Sequence, residues 1–265
     1  MKKLLQSVAF VAAILSTAAQ ATSFATDTSD AWYNPNESGW GLTIAQQNDT
    51  LFAVLYLYGP GNQATWFVAP SMPFSGVTAS GTTYTGTLYQ TTGTPYTTLQ
   101  FDPASVTRRA VGTATFTLTN LTTGTIAYSI DNVAVVKPVT RLTWLSNIMT
   151  GNFLGGRVGT YSGCPAGGDS GYREEPGTWA IQHDANGVQM TFAGAAASCT
   201  YAGPYAQGGH FGFVTGNFTC TNGTSGNFQA FEVNAQVTAL SARLTSTAGN
   251  GCAYDGRIAG ARRTP

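Results

Sequence analysis

Alternation with a period of two runs through most of this chain, and it restricts the fold more than any other feature. In "TATFTLTN" Ala114, Phe116 and Leu118 fall on one face, and Thr113, Thr115, Thr117 and Thr119 on the other. In "TIAYSID" Ile126, Tyr128 and Ile130 repeat the pattern. Successive side chains of a strand point to opposite faces, so this spacing describes strands with one buried side. No long run of helical period competes with it. Turn residues interrupt the strands at Asn48-Asp49, Pro60-Gly61-Asn62, Thr123-Gly124, Asn186-Gly187, Gly208-Gly209 and Asn222-Gly223. Such residues adopt turn backbone cheaply.

The pattern predicts strands at 38–46, 50–58, 63–70, 82–89, 97–101, 111–119, 123–130 and 133–142 in the first half. In the second half it predicts 150–162, 177–183, 187–193, 198–206, 209–219, 225–233, 235–245 and 251–261. Short connections make neighbours antiparallel, so each half reads as an up-and-down meander. About eight strands can close into a small barrel of the lipocalin or streptavidin kind, which removes exposed edges. The predicted fold is all-β, with two such antiparallel barrel-like domains: 22–143, and a disulfide-containing one at 144–265. The boundary falls near "LTWLSNIMTGNF", read as a short helix or linker. A single sixteen-stranded outer-membrane barrel is the rival. Strand spacing of roughly 15 residues leaves little room for long outer loops, and Arg262-Arg263-Thr264-Pro265 is not an aromatic membrane-facing strand. "SGWGLTIAQQNDTLFAVLY" and "PGTWAIQHDANGVQMTF" both run Gly, Trp, strand, turn, strand. Internal repetition would explain the likeness, and so would any two hairpins.

Residues 1–21 read as a secretory signal: Lys2 and Lys3, an apolar run to Ala19, and the Ala19-Gln20-Ala21 site. Ser23-Phe24-Ala25 offers a second cleavage site. No later segment has 18 or more consecutive apolar residues. A secreted or periplasmic protein with no transmembrane segment in the mature chain is expected. Without Lys2 and Lys3, ten basic residues stand against 12 acidic ones, and Lys137 is the only lysine. Charged residues make up 9% of the chain, against about 25% in ordinary globular domains. That scarcity argues against nucleic acid, whose phosphates need clustered Lys and Arg.

Cys164, Cys199, Cys220 and Cys252 all lie in the second half. An even count in an exported chain points to disulfides. No close C-x2-C pair exists and both His lie far off, so zinc is disfavoured. Three connectivities are open. Cys199–Cys220 is preferred because the pair flanks a hairpin centred on Gly208-Gly209, which leaves Cys164–Cys252.

Sequences that suggest catalysis are incomplete. "GGDSGY" resembles the nucleophile loop of trypsin-like serine proteases, but neither His precedes Ser170, no Ala-Ala-His-Cys exists, and Tyr172 replaces the usual third Gly. A hydrolase built from Asp169, Ser170 and His183 is the least favoured reading. His183 reads as a strand-end residue beside the Asp184–Gly187 turn, and His210 as the start of a strand. Glu174-Glu175, between Arg173 and Pro176, reads as an exposed turn. No metal site, cofactor or catalytic residue is expected.

Three of five Trp lie in "AWYNPNESGWGLTIAQQNDTLFAVLYLYGPGNQATWFVAP". On 50–58, Phe52, Val54, Tyr56 and Tyr58 share one face and Leu51, Ala53, Leu55 and Leu57 the other. Both faces are apolar, which predicts a strand covered by the barrel interior on one side and by the second half on the other. Most of these aromatics suit a packed core. Any ligand pocket would lie at the barrel mouth, walled by Trp32, Tyr33, Trp40 and Trp66. Glu37, between Pro35 and Trp40, must be solvated, hydrogen-bonded or paired. Fastening the Asn34–Gly39 turn is the preferred role, and ligand contact the other.

The segment from Trp32 to Ala69 resembles a group of uncharacterised exported bacterial β-proteins sharing an Asn-Pro-x-Glu-Ser-Gly-Trp-Gly motif. In that group an aromatic strand and a Thr-Trp-Phe or Leu-Trp-Leu strand follow the motif. "GCAYDGRIAGARR" is similar to the group's last strand. This chain departs from the pattern by reading Leu55-Tyr56 where a Trp-Phe pair is common. The resemblance implies export and a β fold, and it brings no activity and no catalytic residue. The combined expectation is an exported, non-enzymatic binding module for a small apolar or sugar-like ligand or a protein partner. The other expectation is a structural or surface-associated protein with no small ligand.

Overall fold

The computed structural model describes residues 26–166 and 169–263. The secretory-signal reading falls on residues 1–21, outside that range. The described chain forms two closed antiparallel barrels of eight strands each, one strand of the second being broken into two segments, and not one barrel of sixteen.

The first barrel runs β1 (Asp30–Tyr33), β2 (Gly41–Gln47), β3 (Thr50–Tyr58), β4 (Ala64–Thr78), β5 (Gly81–Thr92), β6 (Thr107–Leu118), β7 (Thr123–Ile130) and β8 (Val133–Arg141). It is up-and-down and closes where Trp32 and Tyr33 of β1 pair with Arg141 and Thr140 of β8. The expected strand at 97–101 is instead part of the loop between β5 and β6, with Leu99 and Phe101 exposed. The closing strand is β1, which four residues form and no long alternation announces. β4 extends beyond Pro70, where a turn would be read. Pro70 and Pro73 sit where the ladder shifts register, so their missing N–H groups break no continuous run of bonds.

Inward residues fill this barrel: Leu42, Leu51, Leu55, Met72, Tyr84, Phe116 and Ile126 are among those fully buried. Threonine covers the outside, where Thr85 and Thr115 hydroxyls meet at 3.0 Å across β5 and β6. The second half does not cover β3, contrary to the reading from its two apolar faces. Leu51, Ala53 and Leu55 point inward, while Phe52, Tyr56 and Tyr58 remain exposed.

The second barrel comprises β9 (Gly151–Ser162), β10 (Gly171–Asp184), β11 (Gly187–Gly194), β12 (Ser198–Gly203), β13 (Tyr205–Gly208), β14 (Phe211–Cys220), β15 (Ser225–Ala235), β16 (Ala239–Ala248) and β17 (Ala253–Arg262). The pairing of β12 with β14 closes it, and β13 continues along β14. The single strand expected at 198–206 is thus broken at Pro204, which has no N–H to donate. Glu174 and Glu175 belong to β10 and not to an exposed turn. Glu175 alternates inward with Gly177, Trp179 and Ile181, and pairs with Arg157 of β9. Disulfides join Cys164 to Cys252 and Cys199 to Cys220. Among the described residues no helix is long and apolar enough to cross a membrane.

Segment 142–150, between the barrels, is irregular and not helical. The β13–β14 turn holds it. Gly209 N–H donates to Thr143 Oγ1 (2.8 Å), Gln207 Nε2 to Leu145 O (2.8 Å), and Asn147 Nδ2 to His210 O (2.8 Å). Gly209 has φ +63°, and a Cβ there would lie 2.1 Å from Asp30 Oδ2. Gly209→Ala is therefore expected to cost at least about 1–2 kcal/mol from the left-handed backbone alone. The clash should add loosening of the junction, read as a lower melting temperature and faster proteolytic cleavage within 142–150.

Candidate functional site at the mouth of the first barrel

Each barrel has one end at the junction and one remote from it. At the remote end of the first barrel the core stops short. Leu57 and Phe67 continue the inward faces of β3 and β4, and Tyr128 and Ile130 that of β7, around a recess of about 600 Å³. Its rim is polar, with Gln63, Gln90 and the Arg109–Asp131 pair.

The connection from β1 to β2 builds one wall. Asn34 Oδ1 accepts from Asn36 N–H (3.0 Å), and Glu37 N–H donates to Asn34 O (3.0 Å), closing a turn behind Pro35. Gly39, at φ +115°, then turns the chain under the Tyr58 ring. Trp40 stands at the rim, and its Nε1–H donates to Glu37 Oε2 (3.0 Å). From β8, Lys137 Nζ donates to Glu37 Oε1 (2.8 Å). The hydrogen bond from Lys137 holds the Glu37 carboxyl below its usual range; partial desolvation opposes this and the Trp40 indole adds to it. The turn is thus fastened by the Asn34 side chain and the Glu37 backbone, while the Glu37 carboxylate faces the recess.

The four residues expected to wall a ligand pocket, and Glu37 with them, separate into three places. Glu37 and Trp40 line the recess. Trp32 does not: it is buried in the core, with Phe116 edge-on at 5.0 Å and its Nε1–H donating to Thr28 O (3.0 Å). Tyr33, next along β1, takes the opposite, outer face. Trp66 is also outside, directly across from Tyr56 on β3 and half-exposed. The sequence reading missed Lys137, Tyr128, Phe67 and Leu57. A signal existed for Lys137, which keeps the inward parity of Val135 and Val139 on β8.

The Ser170–His183 constellation is not assembled. Ser170 immediately precedes β10 and His183 lies near its far end, a span of roughly 40 Å at strand rise. Ser170 Oγ accepts from Cys164 N–H (3.3 Å), and His183 packs on Tyr205. Among the described residues no group of three or more His, Cys, Asp or Glu is placed to hold a metal ion. Searches against protein-family models and against curated proteins found no match to this chain.

Proposed function

We propose that the protein is an exported, non-enzymatic binding protein whose first barrel takes a small sugar-like ligand at its mouth. The observation that carries this reading is the recess itself, with ring and aliphatic walls on one side and the Glu37–Lys137 pair on the other. A pyranose has C–H faces that stack on rings such as Trp40 and Tyr58, and edge hydroxyls that both donate and accept. Glu37 would accept from them, and Lys137 and Gln63 would donate. Tyr96, Leu99 and Phe101 stand exposed on the β5–β6 loop, which leaves the same end of the barrel and could cover a bound ring. Export rests on the N-terminal segment and on the motif resemblance.

The test is a titration with a panel of mono- and disaccharides, followed by calorimetry and Trp emission. Saturable binding is expected, with Trp40→Ala weakening it roughly tenfold through loss of the stacking ring. Glu37→Gln should weaken it less, since the amide keeps one acceptor. If no saccharide saturates while an alkyl ligand does, the sugar reading fails in favour of an apolar one. A second reading, a protein partner, draws on the exposed outer face formed by Phe52, Tyr56 and Trp66. Trp66→Ser should remove such a partner and leave saccharide binding unchanged.

A further inference from the structure

We propose that the remote, disulfide-bearing end of the second barrel is a separate ligand site, and that it takes a small organic carboxylate. The site shares no residue with the first mouth and does not depend on that reading.

The second barrel is filled unevenly. Toward the junction its interior is apolar, with Phe153, Trp179, Ile181 and Met190 buried. Toward the disulfides the inward positions of β9 and β10 change character: Arg157 and Tyr161 on one, Arg173 and Glu175 on the other. These side chains border a cavity of about 340 Å³, beneath both disulfides. The space exists because large rings lie against the barrel wall. A Cβ at Gly159 would come within 2.8 Å of Tyr254 Cζ, and one at Gly256 within 2.4 Å of its hydroxyl, so two glycines let the Tyr254 ring lie flat.

Within this cavity two hydroxyls, those of Tyr201 and Tyr254, keep a proton to give. Arg157 donates through Nε to Glu175 Oε2 (2.6 Å), through Nη2 to Oε1 (3.2 Å), and through Nη1 to the Tyr201 hydroxyl (2.8 Å). Tyr161 OH also donates to Glu175 Oε2 (2.9 Å). Glu175 therefore already accepts three bonds. The Tyr201 oxygen is used as an acceptor, which leaves its proton to give. The Tyr254 hydroxyl is buried and makes no hydrogen bond among the described residues. A buried polar group left unpaired is costly, and native structures rarely keep one without a reason. Burial pushes the Tyr254 and Tyr201 hydroxyls above their usual range, against the opposing charge of Arg157, so both are protonated donors at neutral pH.

The cavity lining sets two guanidinium groups, Arg157 and Arg173, beside two carboxylates, Glu175 and Asp169, the latter 3.5 Å from Arg173 at the rim. The capacity left over lies in the Tyr254 and Tyr201 hydroxyls, which are donors, and a ligand that completes the site must bring oxygen acceptors, as a carboxylate does. Phe192 and Phe218 add apolar wall, which favours an organic anion over an inorganic one.

Benzoate is a suitable probe, with benzamide as its neutral isostere and sulfate as the inorganic control. Saturable benzoate binding is expected by calorimetry, with benzamide and sulfate clearly weaker. Tyr254→Phe removes only the unpartnered hydroxyl. It should weaken benzoate roughly tenfold, while the ligand-free variant melts no lower than the parent. Arg173→Gln, at a partly exposed position, should weaken benzoate with the fold retained. The proposal is overturned if benzoate does not saturate at millimolar concentration, if Tyr254→Phe binds it as well as the parent, or if that variant melts markedly lower. The last result would mean that the hydroxyl already has a structural partner.

Discussion

Replacing Arg141 with alanine is expected to cost about 3–5 kcal/mol, the range for breaking a buried ion pair by removing one partner. Arg141 ends β8 and is fully buried. Its guanidinium meets Asp30 Oδ2 (3.1 Å) and donates to the carbonyls of Leu121 (2.7 Å), Ser29 (3.3 Å) and Asp27 (2.6 Å). It also lies between the Trp32 ring of the first barrel (4.6 Å) and the Phe211 ring of the second (5.0 Å). His210 closes the arrangement from the second barrel, with Nδ1 at 2.8 Å and its backbone N–H at 3.1 Å from the same Asp30 oxygen. Truncation strands a buried carboxylate and leaves three carbonyls without their donor. Chemical denaturation should show the loss, and proteolysis within 142–150 should accelerate as the barrels come apart. A change below about 1 kcal/mol would mean that water replaces the guanidinium freely at the junction.

The same junction gives stability a pH dependence of definite sign. Burial raises the Asp30 carboxyl, but hydrogen bonds from His210 and Arg141 outweigh it and hold the group below its usual range. The unfolded chain therefore takes up the proton first. The stabilisation is complete above the unfolded value, about 4, and is lost as pH falls through the lowered folded value. Asp30→Asn should be less stable than the parent at neutral pH and should lack this acid-side loss.

Sequence alternation gives the faces of each strand but not which of two apolar faces points inward. On β4, Trp66 and Val68 share one face and Phe67 and Ala69 the other, and the sequence pattern shows this plainly. Only closure of the barrel shows that Phe67 is inside and Trp66 outside. Barrel type was legible because period two and turn residues are local, but the expected count of eight strands in the first half was reached with the loop at 97–101 standing in place of β1. The short β1 was not legible, since its four residues acquire their place only by pairing with β2 and β8. Candidate sites are less legible because they depend on long-range pairing. Glu37 and Lys137 are 100 positions apart, and the closure of a barrel brings them to 2.8 Å. Glu175 could have been read as inward from its parity with Trp179 and Ile181. Arg173 and Pro176 beside it suggested a turn instead, and its partner Arg157 lies on a different strand.

Breaking the disulfides should unfold one barrel at lower denaturant and leave the other in place. Cys199 and Cys220 face each other across the β12–β14 seam that closes the second barrel. Cys164 and Cys252 tie the β9–β10 connection to the β16–β17 turn. The links span 21 and 88 positions, so loop-closure entropy alone gives about 3 and about 4–5 kcal/mol respectively. These are upper values, because a compact unfolded chain has less entropy to lose. Cys164→Ala with Cys252→Ala should therefore lower stability more than Cys199→Ala with Cys220→Ala. Each barrel has its own hydrogen-bonded ladder and its own core. Trp179 is buried in the second, and Trp32 in the first. Emission from a variant retaining only Trp179 should move to lower denaturant when the disulfides are removed, and emission from one retaining only Trp32 should not. If both move together, the Asp30–Arg141–His210 junction couples the barrels into one cooperative unit, and adding Arg141→Ala should then separate the two transitions.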